Sequence, residues 1–130
     1  MIIVRVPLRV SFVGGGSELP AFYMQSPGKV ISIAINKYIF VAINERFDGQ
    51  FRIGYSVTEI VKHRDEIKNT RVRAVLDHFK IDNGLEIVSM ADVPSSGSGL
   101  GASSSFSVAL MHGLYEFIKH PSRKDKHAIA

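Results

Sequence analysis

Apolar and polar positions alternate along residues 2 to 13. Val6, Leu8, Val10 and Phe12 fall on one parity, and Arg5, Arg9 and Ser11 on the other. A period of two is the mark of a strand with one buried face, so the segment is predicted as a strand. The run GGGSELP then breaks the alternation. Three glycines suit a tight turn or a close backbone approach, and Ser17 stands where it would cap a short helix around Leu19, Phe22 and Tyr23. From 29 to 47 β-branched and aromatic residues dominate, and Ile31, Ile33, Ile35, Ile39, Val41 and Ile43 share one parity. One long bent strand or two successive strands fit this pattern. Asp48-Gly49 is a hairpin turn signal, and Phe51, Ile53 and Tyr55 alternate after it.

The period then changes. Ser56 and Glu59 have capping-box spacing, which predicts a helix from Val57. Asn69 is placed to cap another, whose stripe is Val72, Val75, Leu76 and Phe79 and whose end is Asp82-Asn83-Gly84. Leu85 to Met90 is predicted as a strand. Phe106, Leu110, Leu114 and Phe117 mark a last helical face that ends before Pro121. Strands and helices alternate around an antiparallel hairpin, with no internal repeat. That predicts an α+β fold, a mixed sheet with packed helices, as one domain over residues 1–130.

Composition narrows the options. Apolar content of 45% and charged content of 22% allow a globular core. No apolar run has bilayer length and the start lacks a signal-peptide layout, so no membrane partner is expected. The chain has no cysteine, which excludes disulfides and thiolate metal sites and fits a reducing, cytoplasmic compartment. The five histidines share no metal-ligand spacing, and Asp65-Glu66 reads as an exposed turn. Net charge is +4, part of it in the tail HPSRKDKHAIA, and the basic residues are interspersed with acids. A contiguous basic face with interleaved aromatics is lacking, so no nucleic-acid partner is expected.

Candidate chemistry lies in DVPSSGSGLGASSSF, residues 92 to 106, with three glycines and six serines directly before a predicted helix. A helix start offers unpaired N–H groups and the positive end of the dipole. Glycines let a large anion reach them, and serine hydroxyls add donors for phosphate and oxygen ligands for Mg²⁺. The stretch has the chemistry of a phosphate cradle. It is not a Walker A loop, since no Lys follows the last glycine. Gly97, Gly99 and Gly101 step by two, which is not the dinucleotide-binding spacing. Neither Ser98 nor Ser103 has the flanking glycines of a nucleophile elbow. On composition alone, an ordinary flexible loop before a serine-rich helix start stays open.

The letters GLGASSS after DVP, with PLRVSFVGGGSELP at residues 7 to 20, resemble the GHMP kinases, a superfamily of small-molecule kinases. AINKY at 34–38 and the tyrosine-serine stretch from Tyr55 to Glu59 add a likeness to the D-glycero-D-manno-heptose 7-phosphate kinase subgroup. The resemblance implies a fold shared with a ribosomal protein domain. It implies that Ser95, Ser96, Gly97, Ser98, Gly99, Leu100, Gly101, Ala102, Ser103 and Ser104 wrap the phosphates of ATP. Ser103 would contact Mg²⁺, with Ser104 its near rival. Arg9 would lie by the transferred phosphate, and Gly16, Ser17 and Glu18 would hold sugar hydroxyls. Asn36 and the Arg52–Ser56 stretch would border the nucleotide. The implied reaction moves the γ-phosphate of ATP to the anomeric hydroxyl of a heptose 7-phosphate, a small-molecule sugar phosphate, and feeds nucleotide-activated heptose for surface glycans.

Three letters depart from the family pattern: Glu18 replaces an Asp, Ala102 replaces a usual serine, and one extra residue lies between Pro94 and Gly99. The resemblance puts the catalytic acid and a third glycine-rich motif past residue 130, and Asp77, Asp82, Asp92 and Asp125 are not assigned to that role. The chain is thus expected to be an N-terminal kinase portion, inactive alone, that docks with a C-terminal half or forms a homodimer. The alternatives are a non-catalytic interaction domain of the same fold and a galactokinase- or fucokinase-like enzyme.

Overall fold

Alternating β-branched residues give the chain its sheet. In the computed structural model the described residues are 1–94 and 98–119, with Glu18 described by its backbone only. Among them one sheet runs in the order β1-β2-β5-β3-β4, from β1 (Ile2–Val13), β2 (Ile31–Glu45), β3 (Phe51–Gly54), β4 (Thr58–Val61) and β5 (Leu85–Ala91). β3 and β5 are parallel and the other neighbours antiparallel, so the sheet is mixed as expected. The helices are α1 (Pro20–Tyr23), α2 (Thr70–Phe79) and α3 (Ala102–Phe117). None of the described helices is long and apolar enough to cross a membrane.

Residues 31–45 form one strand, which settles the choice between one strand and two. It bends at an irregularity: Pro7 pairs with Tyr38, but Arg9 pairs with Ala34. Two extra residues of β2 sit opposite Leu8 there, a bulge that turns the distal part of the ribbon. The Asp48-Gly49 turn forms, with Asp48 accepting from the Gln50 amide at 3.1 Å and Gly49 at φ +70°. It does not join neighbouring strands, contrary to the hairpin signal. β5 inserts between β2 and β3, and the Arg46 amide donates to the Gly84 carbonyl at its entry. A local turn signal fixes chain reversal, not which strand fills the gap.

The helix predicted from Val57 is absent. Residues 58–61 are β4, paired to β3 from Gly54↔Thr58 to Phe51↔Val61. Thr58, Ile60 and Val61 are β-branched and suit a strand. The Glu59 carboxylate bonds to groups far along the chain instead of capping Ser56. Ser17 does not cap α1 either: it lies within a 3₁₀ turn, Gly15–Glu18, and the α1 cap position is Leu19, followed by Pro20. Asn69 does cap α2, its side chain accepting from the Val72 amide at 3.2 Å.

α2 and α3 pack on one face of the sheet. Val41, Ile43, Phe51, Ile53 and Ile87 from the strands meet Val72 and Leu76 of α2 and Leu110 and Leu114 of α3. Gly113 lets α3 sit close: a Cβ there would come 2.7 Å from Ile43 Cδ1. Tyr115 and Phe79 stack edge to face at 4.9 Å, as core aromatics. A second cluster joins Leu8, Ile39 and Ala102 with Leu100 and Phe106. It ties the start of α3 to the bulge.

Candidate functional site

The β2 bulge opposite Leu8 interrupts the β1–β2 register, and the glycine-serine loop bonds to β1 backbone groups on both sides of it. The Arg9 amide donates to the Leu100 carbonyl at 3.1 Å, and the Ser105 hydroxyl donates to the Pro7 carbonyl at 3.3 Å. Ser105 is buried and its own amide closes the first turn of α3 on the Gly101 carbonyl. The exit of the loop is thereby fastened to β1 on both sides of Leu8. Leu100 and Ala102 add apolar contacts at the same place.

Gly101 is the N-cap of α3 at φ +68°, a conformation that L side chains rarely adopt. A Cβ there would lie 3.1 Å from Cγ and 3.3 Å from Nε of Arg9. Arg9 therefore stands directly against the turn into α3. The structure brings Arg9 against Leu100 and Gly101 of the loop. Arg9 also bonds to the Ser11 hydroxyl along the same strand face. The amides of Ala102, Ser103 and Ser104 open the helix, where no intrahelical acceptor exists. Ser95, Ser96 and Gly97 lie outside the described residues.

Ala102 and Ser103 line a cleft of about 360 Å³, with Ile39, Tyr55, Asn69, Arg71, Ser89 and Phe106 as its other walls. A neighbouring hollow of about 260 Å³ shares Ile39, Tyr55 and Ser89 and extends to Ser56, Met90 and Val93. The starts of α2 and α3 thus face one cleft. Of the Arg52–Ser56 stretch, read as bordering a nucleotide, Tyr55 lines the cleft and Ser56 only the neighbouring hollow. Arg52 lines neither: it pairs with Glu86 across β3 and β5. Sequence reasoning missed Arg71 and Ser89 as cleft residues, and took Asn69 only as a cap and Phe106 only as core. Their convergence comes from the parallel β3–β5 pairing, for which no local pattern exists.

Ser17, Gly16 and Glu18 lie in the 3₁₀ turn after β1. The Ser17 hydroxyl donates to the Gly14 carbonyl at 2.7 Å, and it lies 3.2 Å from the Lys29 carbonyl. Its proton is spent on closing the turn, which leaves its lone pairs for any ligand donor. Asn36 is exposed, in the β2 irregularity opposite Leu8.

The carboxylates sort by geometry. Asp77 and Asp82 pair with Arg64, at 2.5 Å and 3.0 Å. Asp92 accepts from the Tyr38 amide at 2.8 Å and extends the β2–β5 pairing. Each serves the fold. Asp125 lies outside the described residues. Glu59 is buried and accepts from the Tyr55 hydroxyl at 2.6 Å and from the amides of Lys68 at 2.6 Å and Asn69 at 3.2 Å. Burial opposes its ionisation, but these three donors outweigh burial and hold the carboxyl below its ordinary range. The same bond raises the Tyr55 hydroxyl above its usual value.

The donor set fits a magnesium nucleotide. Backbone N–H groups at a glycine-lined helix start suit phosphate, Ser103 offers Mg²⁺ an oxygen, and an arginine stands beside both. No group of three His, Cys, Asp or Glu side chains comes together among the described residues.

Comparison with known proteins points to one family of folds. Residues 67–130 match the GHMP kinases N terminal domain. The chain is 28% identical, over 92% of its length, to D-glycero-alpha-D-manno-heptose 7-phosphate kinase of Campylobacter jejuni, and spans 39% of that protein. It is also 28% identical, over 87% of its length, to the bifunctional fucokinase/GDP-fucose pyrophosphorylase of Arabidopsis thaliana, of which it spans 13%. Its fold superposes with a TM-score of 0.80 and 20% identity on a D-glycero-D-manno-heptose 1-phosphate kinase from Bacteroides thetaiotaomicron, covering 99% of this chain and 47% of that one. The mixed sheet and these matches make the chain similar to the N-terminal part of the GHMP kinases, the family whose N-terminal domain its residues 67–130 match.

Proposed function

We propose that this chain is the nucleotide-binding part of an ATP-dependent sugar kinase, which moves the γ-phosphate of ATP to the anomeric hydroxyl of D-glycero-D-manno-heptose 7-phosphate. The observation that carries the reading is the contact of Arg9 with Gly101, at the point where the loop enters α3 and Ser103 faces the cleft. The named activity of the Campylobacter jejuni relative supports heptose phosphate as the sugar.

Phosphoryl transfer needs positioning and charge neutralisation more than covalent chemistry. The amides of Ala102, Ser103 and Ser104 would bind phosphate oxygens. Ser103 would hold Mg²⁺, and bound Mg²⁺ neutralises phosphate charge. Arg9 supplies a fixed positive charge on the β1 side of the loop exit. The cleft lined by Ile39, Tyr55 and Phe106 would receive the nucleoside and keep water from it. The backbone turn at Gly15–Glu18, which begins next to the end of β1, would meet the sugar hydroxyls.

Calorimetric titration of the chain with MgATP tests the reading, with Gly101→Val alongside. Saturable binding is expected, with at least about a tenfold loss in the variant, from the strained φ and the clash with Arg9. No binding by the unsubstituted chain would sink the nucleotide reading. With MgATP bound, heptose 7-phosphate is expected to shift the amide resonances of Arg9, Gly16 and Ser17, and fucose or galactose is not. The reverse preference would overturn the choice of sugar.

A further inference from the structure

Among the described residues, the nucleotide reading leaves a buried carboxylate without a task. Glu59 sits on β4, faces the helix side of the sheet, and is not among the residues that line the cleft. Its two oxygens nevertheless collect three donors from two separate segments. One is the Tyr55 hydroxyl, at the tip of the β3–β4 hairpin. The other two are the amides of Lys68 and Asn69, which lead into α2. Tyr55 and Asn69 are both walls of the cleft, as is Arg71, in the first turn of α2. The carboxylate is therefore the joint between the hairpin tip and the start of α2.

We infer that Glu59 is a positioning residue for the nucleoside end of the bound nucleotide. It holds the Tyr55 ring and the Asn69–Arg71 corner opposite Ala102, Ser103 and Phe106, so that the cleft keeps its width before ligand arrives. The inference rests on the nucleotide reading given above. Charge-assisted bonds to a carboxylate are about twice as strong as neutral ones, which is why one buried group can fix two segments. Its amide partners are not available from α2 itself, because Lys68 and Asn69 precede the first helical turn. The phosphate end has different anchors, at Pro7, Arg9 and Leu100, and none of these touches Glu59. The two ends of the site are thus held by separate devices.

That separation supplies the test. MgATP and magnesium tripolyphosphate, which lacks the nucleoside, are titrated calorimetrically into the chain, Glu59→Gln and Tyr55→Phe. Glu59→Gln is expected to weaken MgATP by about tenfold or more, with tripolyphosphate changed by less than about twofold. Tyr55→Phe keeps the carboxylate and its amide partners, and is expected to weaken MgATP by about threefold. Equal MgATP affinity in Glu59→Gln and the unsubstituted chain would overturn the inference and leave the nucleotide reading intact. Equal losses for both ligands would also overturn it, by making Glu59 a general stabiliser. An unsubstituted chain that binds tripolyphosphate no more weakly than MgATP would overturn both. If Glu59→Gln loses its cooperative melting, Tyr55→Phe decides: unchanged MgATP affinity in that variant would end the proposal.

Discussion

The β1–β2 ribbon has two halves with the same alternation and opposite fates. In the proximal half, Val41 and Ile43 are fully buried and Ile39 nearly so. In the distal half, Ile31 and Ile33, on the same parity of the same strand, are 64% and 55% exposed. Across the ribbon Leu8 is fully buried and Phe12 is 66% exposed. Side-chain chemistry does not distinguish the halves. The difference is cover: α3 lies over the proximal half. The element that follows the distal end of β1 after the 3₁₀ turn is α1, a four-residue helix with no buried residue. Apolar alternation thus specifies a strand with one face to hide, and leaves open what hides it.

This contrast can be broken or sharpened by substitution, read as unfolding free energy from urea titrations. The largest effect is expected from Ile43→Ala, which removes a fully buried side chain packed beneath Gly113 and should cost about 2–5 kcal/mol. The acid limb comes next. The Glu59 carboxyl is held below its ordinary range in the fold, so it stabilises the fold at pH values above the unfolded-state value. That contribution is lost as pH falls through the lowered, folded-state value. The urea midpoint should fall through the acid carboxylate range, and Glu59→Gln should flatten that part of the profile. An unchanged profile would show that the carboxylate carries no proton-linked stability. Asn69→Ala should cost about 1 kcal/mol through loss of the α2 cap. The smallest effect is expected from Ile33→Ala, within about 0.5 kcal/mol, because its side chain is already in water. A cost for Ile33→Ala comparable with that of Ile43→Ala would mean that the distal half is covered in solution, and would end the comparison.

Much of the fold was legible because its signals are local. The alternation in residues 2–13, the Asn69 cap and the stripe Phe106–Phe117 each work within one turn or one strand, and all three elements formed. The errors came where a local signal competed with a distant partner. Ser56 and Glu59 have the spacing of a capping box, but the Glu59 carboxylate found the Lys68 and Asn69 amides instead. Asp48-Gly49 turned the chain, but β5 took the place beside β2. Ser17 closed its own turn on Gly14 and did not cap α1.

The candidate site divides the same way. The letters of its proposed phosphate end are consecutive, since glycines and serines before a helix start are what an anion cradle needs. The approach of Arg9 to that cradle rests on a likeness in sequence and on a bulge that only the folded ribbon displays.

By itself the sequence determined which segments are strands or helices at most positions, and it carried the resemblance to the GHMP kinases. Tertiary structure alone decided which apolar positions are buried, which strand lies beside which, and that Tyr55, Asn69, Arg71 and Ser89 share a cleft. The physical reason is range. Backbone propensity, capping and alternation act over a few residues, whereas burial and a cleft depend on partners far along the chain, 98 residues apart for Ser105 and Pro7, which are chosen by packing the whole sheet at once.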